Sequence, residues 1–71
     1  MSVAKVIEIT STSSRSFEDA INQGVSRASK SLKNVQGAWV KEQQVSIEDG
    51  RITAYRVNLM VTFVLEGDVD E

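Results

Sequence analysis

The side chains in this sequence that are equipped for chemistry are few, and they do not form a reactive set. Trp39, the single tryptophan, presents a large rigid aromatic surface within "KNVQGAWVKEQQ", residues 33–44. Arg56 carries a planar guanidinium that can stack on an indole face or pair with a phosphate or carboxylate. Asn58 can donate a hydrogen bond to a ligand or across a subunit contact. Lys41 and Glu42 are read as partners in inter-subunit ion pairs rather than as catalysts. Glu8, Glu48, Asp49, Glu66, Asp68 and Asp70 supply hard oxygen ligands of the kind that hold Ca²⁺ or Mg²⁺. Their spacing matches no calcium loop, and solvated surface charge is the simpler reading of each. With no histidine and no cysteine in the chain, the usual nucleophile–base pairings and zinc sites have no members. The chain is therefore read as non-enzymatic.

A binding role raises the question of what holds these groups. The chain has 71 residues, enough for one domain and no more. A domain of this size buries only about 60% of its unfolded surface, so it needs disulfides, a metal or self-association. Self-association is the route that remains, and a homo-oligomer is expected. Eight basic and ten acidic residues give a net charge of −2, against the basic excess of a phosphate-backbone binder. No run of apolar residues is long enough for a membrane span. The N-terminal "MSVAKVIEITSTSS" lacks a signal-like apolar block, which makes a cytoplasmic location the default expectation.

Four elements are expected in the order β-α-β-β. "VAKVIEIT", residues 3–10, is rich in strand-favouring Val and Ile. The hydroxyl cluster from Thr10 to Ser16 is expected to form turns and cap a helix. That helix fits Phe17 to Lys33, with Ser16 as N-cap and Glu18 and Asp19 in the first turn. Phe17, Ala20, Ile21, Gly24, Val25, Ala28 and Leu32 recur at helical spacing as one apolar stripe. Gly24 on that stripe suggests a close approach to a sheet, offsetting a cost of about 1 kcal/mol to the helix. Two long strands follow, Val35 to Ile47 and Arg51 to Leu65, joined at Asp49-Gly50, a strong hairpin signal.

In the last strand, Tyr55, Val57, Leu59, Val61, Phe63 and Leu65 alternate with Ala54, Arg56, Asn58, Met60 and Thr62, so the first set is assigned to the helix-facing side. The middle strand changes parity between Ala38 and Val40 and Val45 and Ile47, and a bulge near Gln43-Gln44 would reconcile the two. The predicted fold is α+β: a three-stranded antiparallel sheet wrapped around one helix, with residues 1–71 a single domain and 67–71 an acidic tail expected to fray. The other face of the sheet stays open and carries Gly37, Trp39, Lys41, Arg56, Asn58 and Met60.

"KVIEIT" leading into "TSSRSFEDAI", the helix segment "GVSRASKSLKNV" and the final "YRVNLMVTFVLEG" together resemble the dodecins, over nearly the whole chain. The resemblance implies a small βαββ subunit of a hollow spherical homododecamer that binds flavin, FMN or riboflavin. In such proteins a tryptophan just after the helix stacks on the isoalloxazine, and a glutamine after the aromatic residue of the last strand bonds the ring edge. Here the tryptophan position falls on Gly37, the glutamate after it on Trp39, and the glutamine position on Arg56. Flavin affinity is accordingly expected to be weakened or lost. Residues i and i+2 of a strand share a face about 6.6 Å apart, so Trp39 lies one repeat beyond the usual platform. It is expected to fill the vacancy at Gly37 and meet Arg56, or to present a displaced stacking surface. The cofactor-site positions are thus Gly37, Trp39, Arg56 and Asn58. The alternative is a structural or calcium-binding shell similar to the calcium-dodecin branch, with Glu8, Glu48 and Asp49 as candidate ligands.

Overall fold

The computed structural model describes residues 2–65, so Glu66, Asp68, Asp70 and the tail at 67–71 lie outside the described residues. The elements run β1 (Ala4–Ser13), α1 (Phe17–Ser31), β2 (Val35–Glu48) and β3 (Arg51–Val64). They form one antiparallel sheet in the order β1-β3-β2. β3 lies between the other two and is the strand most deeply buried.

Two boundaries differ from the sequence reading by more than one residue. β1 continues through Thr10, Ser11 and Thr12 to Ser13, because each finds a partner on β3, the last pair being Ser13 with Tyr55. Only the end of the hydroxyl cluster turns the chain: Ser13 Oγ accepts from Arg15 N at 2.9 Å, and Ser16 Oγ accepts from Asp19 N at 2.9 Å. The helix stops at Ser31, two residues early. Leu32 leaves the helical region (φ −117°, ψ 143°) while its N–H still bonds Ala28 O, and its side chain turns back onto the core. Asn34, at φ 62°, then reverses the chain into β2, a conformation Asn tolerates better than most residues.

The helix stripe packs as its spacing requires. Ala20 and Ala28 are buried against Val57, Leu59 and Val61 of β3, with Ile7, Ile9, Phe17, Ile21, Val25, Leu32 and Val35 around them. The Phe17 and Tyr55 rings meet edge-on at 5.2 Å and close one end of this core. At Gly24 the helix comes so near the sheet that a Cβ would stand 2.9 Å from Leu59 Cδ1 and 3.1 Å from Ser11 Cβ. The glycine is what permits that approach.

The change of parity in β2 is resolved by a bulge, two residues earlier than expected. Val40 pairs with Leu59 and Glu42 with Asn58, leaving Lys41 as the extra residue. Ala38 and Val40 before it, and Val45 after it, therefore all pair with residues of the helix-facing set of β3. A second irregularity skips Thr53, so that Ile47 pairs with Ile52 near the turn. The turn itself has Asp49 at φ 52° and Gly50 at φ 75°, both positive as a type I′ hairpin demands.

Candidate functional site

The open face of the sheet is built from the alternate residues of β3 and their neighbours on either side. One row runs Glu8, Met60, Trp39; the next runs Thr10, Asn58, Glu42; a third runs Thr12, Arg56, Gln44. All four sequence-predicted cofactor-site positions lie on this face, but they do not converge. Gly37 stands opposite Thr62 and Trp39 opposite Met60. Arg56 is four residues from Met60, about 13 Å along the strand, and it lies exposed between Thr12 and Gln44.

The expectation that Trp39 fills the space left at Gly37 is not met within the protomer. A Cβ placed on Gly37 would meet nothing within 4 Å, and the Trp39 residue is 53% exposed. The vacancy is open, and the indole beside it is uncovered. Gly37 and Trp39 also border a groove of about 330 Å³ between α1 and β2, together with Ile21, Val25 and Val40. A flavin needs a stacking platform and a hydrogen-bonding edge in one place. These residues put an indole at one end of the face and a cation at the other, so they do not fit that requirement within a single chain.

What the fold does bring together is Asn58 with two residues from the other strands. Asn58 Nδ2 donates to Glu8 Oε2 at 3.0 Å, and Lys41 Nζ reaches over β3 to Glu8 Oε1 at 3.3 Å. Lys41, expected in an inter-subunit ion pair, has a partner in its own chain, Glu8. The bulge supplies the reason, since it releases Lys41 from the regular pairing and aims it across the face. The Asn58 bond, and after it the Lys41 hydrogen bond and charge, hold the Glu8 carboxyl below its ordinary range. Asn58 Oδ1 is enclosed without a hydrogen-bond partner. Turning the amide would bring that oxygen against the Glu8 carboxylate, which fixes its orientation. The hairpin turn made the antiparallel pairing of β2 with β3 legible in advance. No local signal fixes how β1 pairs with β3, which is why the Glu8 partnership was missed.

The three metal candidates are not assembled either. Glu8 is engaged as described, while Glu48 and Asp49 are at the hairpin turn, opposite Arg51, far along the sheet. Among the described residues no group of three Asp, Glu, His or Cys is close enough to hold an ion.

A second polar cluster is structural. Asp19 Oδ2 accepts from Ser13 Oγ at 2.6 Å and from Gln23 Nε2 at 2.6 Å. The Ser13 bond is the main cause of a lowered Asp19 pKa, and the cluster ties the end of β1 to the first turn of α1.

A βαββ protomer with this sheet order defines a class, and the comparisons with known proteins agree. The family model described as Dodecin matches residues 3–66. The chain belongs to the dodecin family. It is 40% identical over 63 residues to the calcium dodecin of Mycobacterium tuberculosis, covering 89% of each chain. It is 36% identical over 64 residues to the dodecin of Thermus thermophilus, covering 90% of this chain and 93% of that one. Among solved structures, Streptomyces coelicolor dodecin superposes with a TM-score of 0.88 at 30% identity, covering 94% of this chain and 96% of its own. The M. tuberculosis calcium dodecin, described as calcium-chelating with a novel calcium-binding site, superposes with a TM-score of 0.78 at 36% identity and covers 97% and 99%.

Proposed function

We propose that this chain is the subunit of a non-enzymatic, homo-oligomeric binding shell, a dodecamer, whose flavin site has lost its stacking group. The observation that carries the loss is Gly37. The position that the dodecin resemblance assigns to the flavin-stacking tryptophan has no side chain and faces open space. The exposed β2 strand and the small set of five buried apolar residues among the described residues support assembly, since a core of this size leaves little stability to spare. Sedimentation velocity tests the assembly: a single large species is expected, and a monomer at working concentration would contradict it. Visible absorption tests the ligand. Protein purified from cells should be colourless, whereas a flavin spectrum that survives gel filtration would mean the site has been rebuilt around Trp39.

A second reading, a calcium-binding shell, is favoured by the likeness to the calcium dodecin. Since the described carboxylates do not cluster within one chain, such an ion would sit between copies. A bound ion must stabilise the native assembly by mass action. A melting temperature that rises with added Ca²⁺ and falls with chelator supports this reading, and one indifferent to both removes it.

A further inference from the structure

We propose that the groove between α1 and β1 binds a small amphipathic carboxylate, a free acid with an aliphatic chain of medium length. The groove lies on the opposite side of the sheet from Trp39 and Arg56.

Helical spacing divides the wall that α1 contributes into two rows. Gly24, Ala28 and Leu32 stand four residues apart and face the sheet, while Gln23, Arg27 and Ser31 form a parallel row one position back. Across from them β1 presents Ile7 and Ile9, whose β3 partners Val61 and Leu59 belong to the helix-facing set. Between the two elements runs a groove of about 380 Å³ lined by both rows and both isoleucines. That volume is at the small end of ligand pockets, which run to about 300–1,000 Å³. From Gly24 to Ser31 the helix rises about 10 Å, which sets the length of chain the groove can cover.

Charge selects the head group. Arg27 is exposed, and Lys30 stands near it on the adjoining surface of the helix. Neither has an ion-pair partner among the described residues. No carboxylate lines the groove or that adjoining surface. A guanidinium at the rim of an apolar trough, with no acid of its own, matches a carboxylate in fork geometry. Ile7, Ile9, Ala28 and Leu32 would then cover the aliphatic chain and remove it from water. An apolar lining with one convergent charged group is the usual make-up of a small-molecule site. The groove on the other side of α1, against β2, has no charged residue in its lining, so it has no means of orienting such a ligand.

Calorimetric titration of the assembled protein with decanoate tests the proposal. Saturable binding is expected, with no comparable binding of acetate, which lacks the chain, or of decanol, which lacks the charge. Arg27→Gln should weaken decanoate binding about tenfold, as the loss of one charge-assisted pair does, with the helical circular dichroism unchanged. Arg27→Lys should restore part of that affinity. A diazirine-bearing decanoate, irradiated in the complex, should label α1 and β1 within residues 7–32. No saturable binding, decanol binding as well as decanoate, an affinity indifferent to Arg27, or labelling confined to β2 or β3 overturns the proposal. Decyl phosphate binding in preference to decanoate also overturns it, because the head group would then be the wrong one.

Discussion

The protomer has two unlike halves. Where β3 lies under α1, the side chains are buried, with Leu59 1% exposed and a glycine setting the helix–sheet distance. Across the hydrogen-bonded ladder from Leu59, its β2 partner Val40 is 39% exposed. Along the whole of β2 only Val35 and Val45 are even partly buried. One half carries the folding free energy of the single chain. The other half has strand-forming residues and a hairpin, and β2 is exposed along most of its length.

Substitutions sharpen this contrast. The largest effect is expected from Leu59→Ala, which should cost about 2–5 kcal/mol as buried leucine truncations do. Val40→Ala, one strand away, should cost less than about 1 kcal/mol in the unassembled chain and act mainly on sedimentation. Urea unfolding of the two variants measures the difference; equal losses would erase the distinction between the halves.

Gly24→Ala comes next. The helix gains about 1 kcal/mol in propensity, but the new methyl must displace Leu59 Cδ1 and Ser11, and overpacking of this kind costs about 1–3 kcal/mol. A net loss in melting temperature is expected, and a gain would show that the helix can lift away from the sheet at little cost. The same substitution at Gly37, which faces open space, should leave the melting temperature nearly unchanged.

The smallest effect is electrostatic. Glu8 and Asp19 both have folded-state pKa values below their ordinary ones, so the unfolded chain binds protons more readily. Their contribution is fully present above the unfolded carboxylate range, about pH 4, and is lost as the pH falls through the folded values. Both groups are solvent-accessible, which keeps the effect modest. Melting temperature against pH should decline on the acid side, with part of the slope removed by Ser13→Ala, whose hydroxyl is the main cause of the Asp19 shift. A profile unchanged by that substitution would contradict the assignment.

How far the sequence carried these conclusions differs between the same two halves. The helix stripe, its Ser16 cap, the inner face of β3 and the Asp49-Gly50 turn were all legible, because each depends on local periodicity or on one residue's backbone preference. The bulge in β2 was legible as a parity conflict, but its place at Lys41 was not. That position follows from the pairing with β3, which is a non-local property. β1 was read three residues short because Thr and Ser signal turns and strands alike, and only the partners on β3 decided between them. The open face was located correctly, yet the contacts on it were not. Side chains such as Lys41 reach across two strands to partners that no sequence window contains.

The central claim of the proposed function is that the flavin-stacking group is missing at Gly37. Titration of riboflavin and FMN against the wild-type protein and Gly37→Trp, followed by quenching of flavin fluorescence, tests it most directly. The expected result is no saturable quenching by the wild type at micromolar protein and clear, saturable quenching by the variant, because an indole restored at a position with open space above it can stack. Tight quenching by the wild type, undiminished in the variant but abolished by Trp39→Ala, would contradict the claim and make Trp39 the platform.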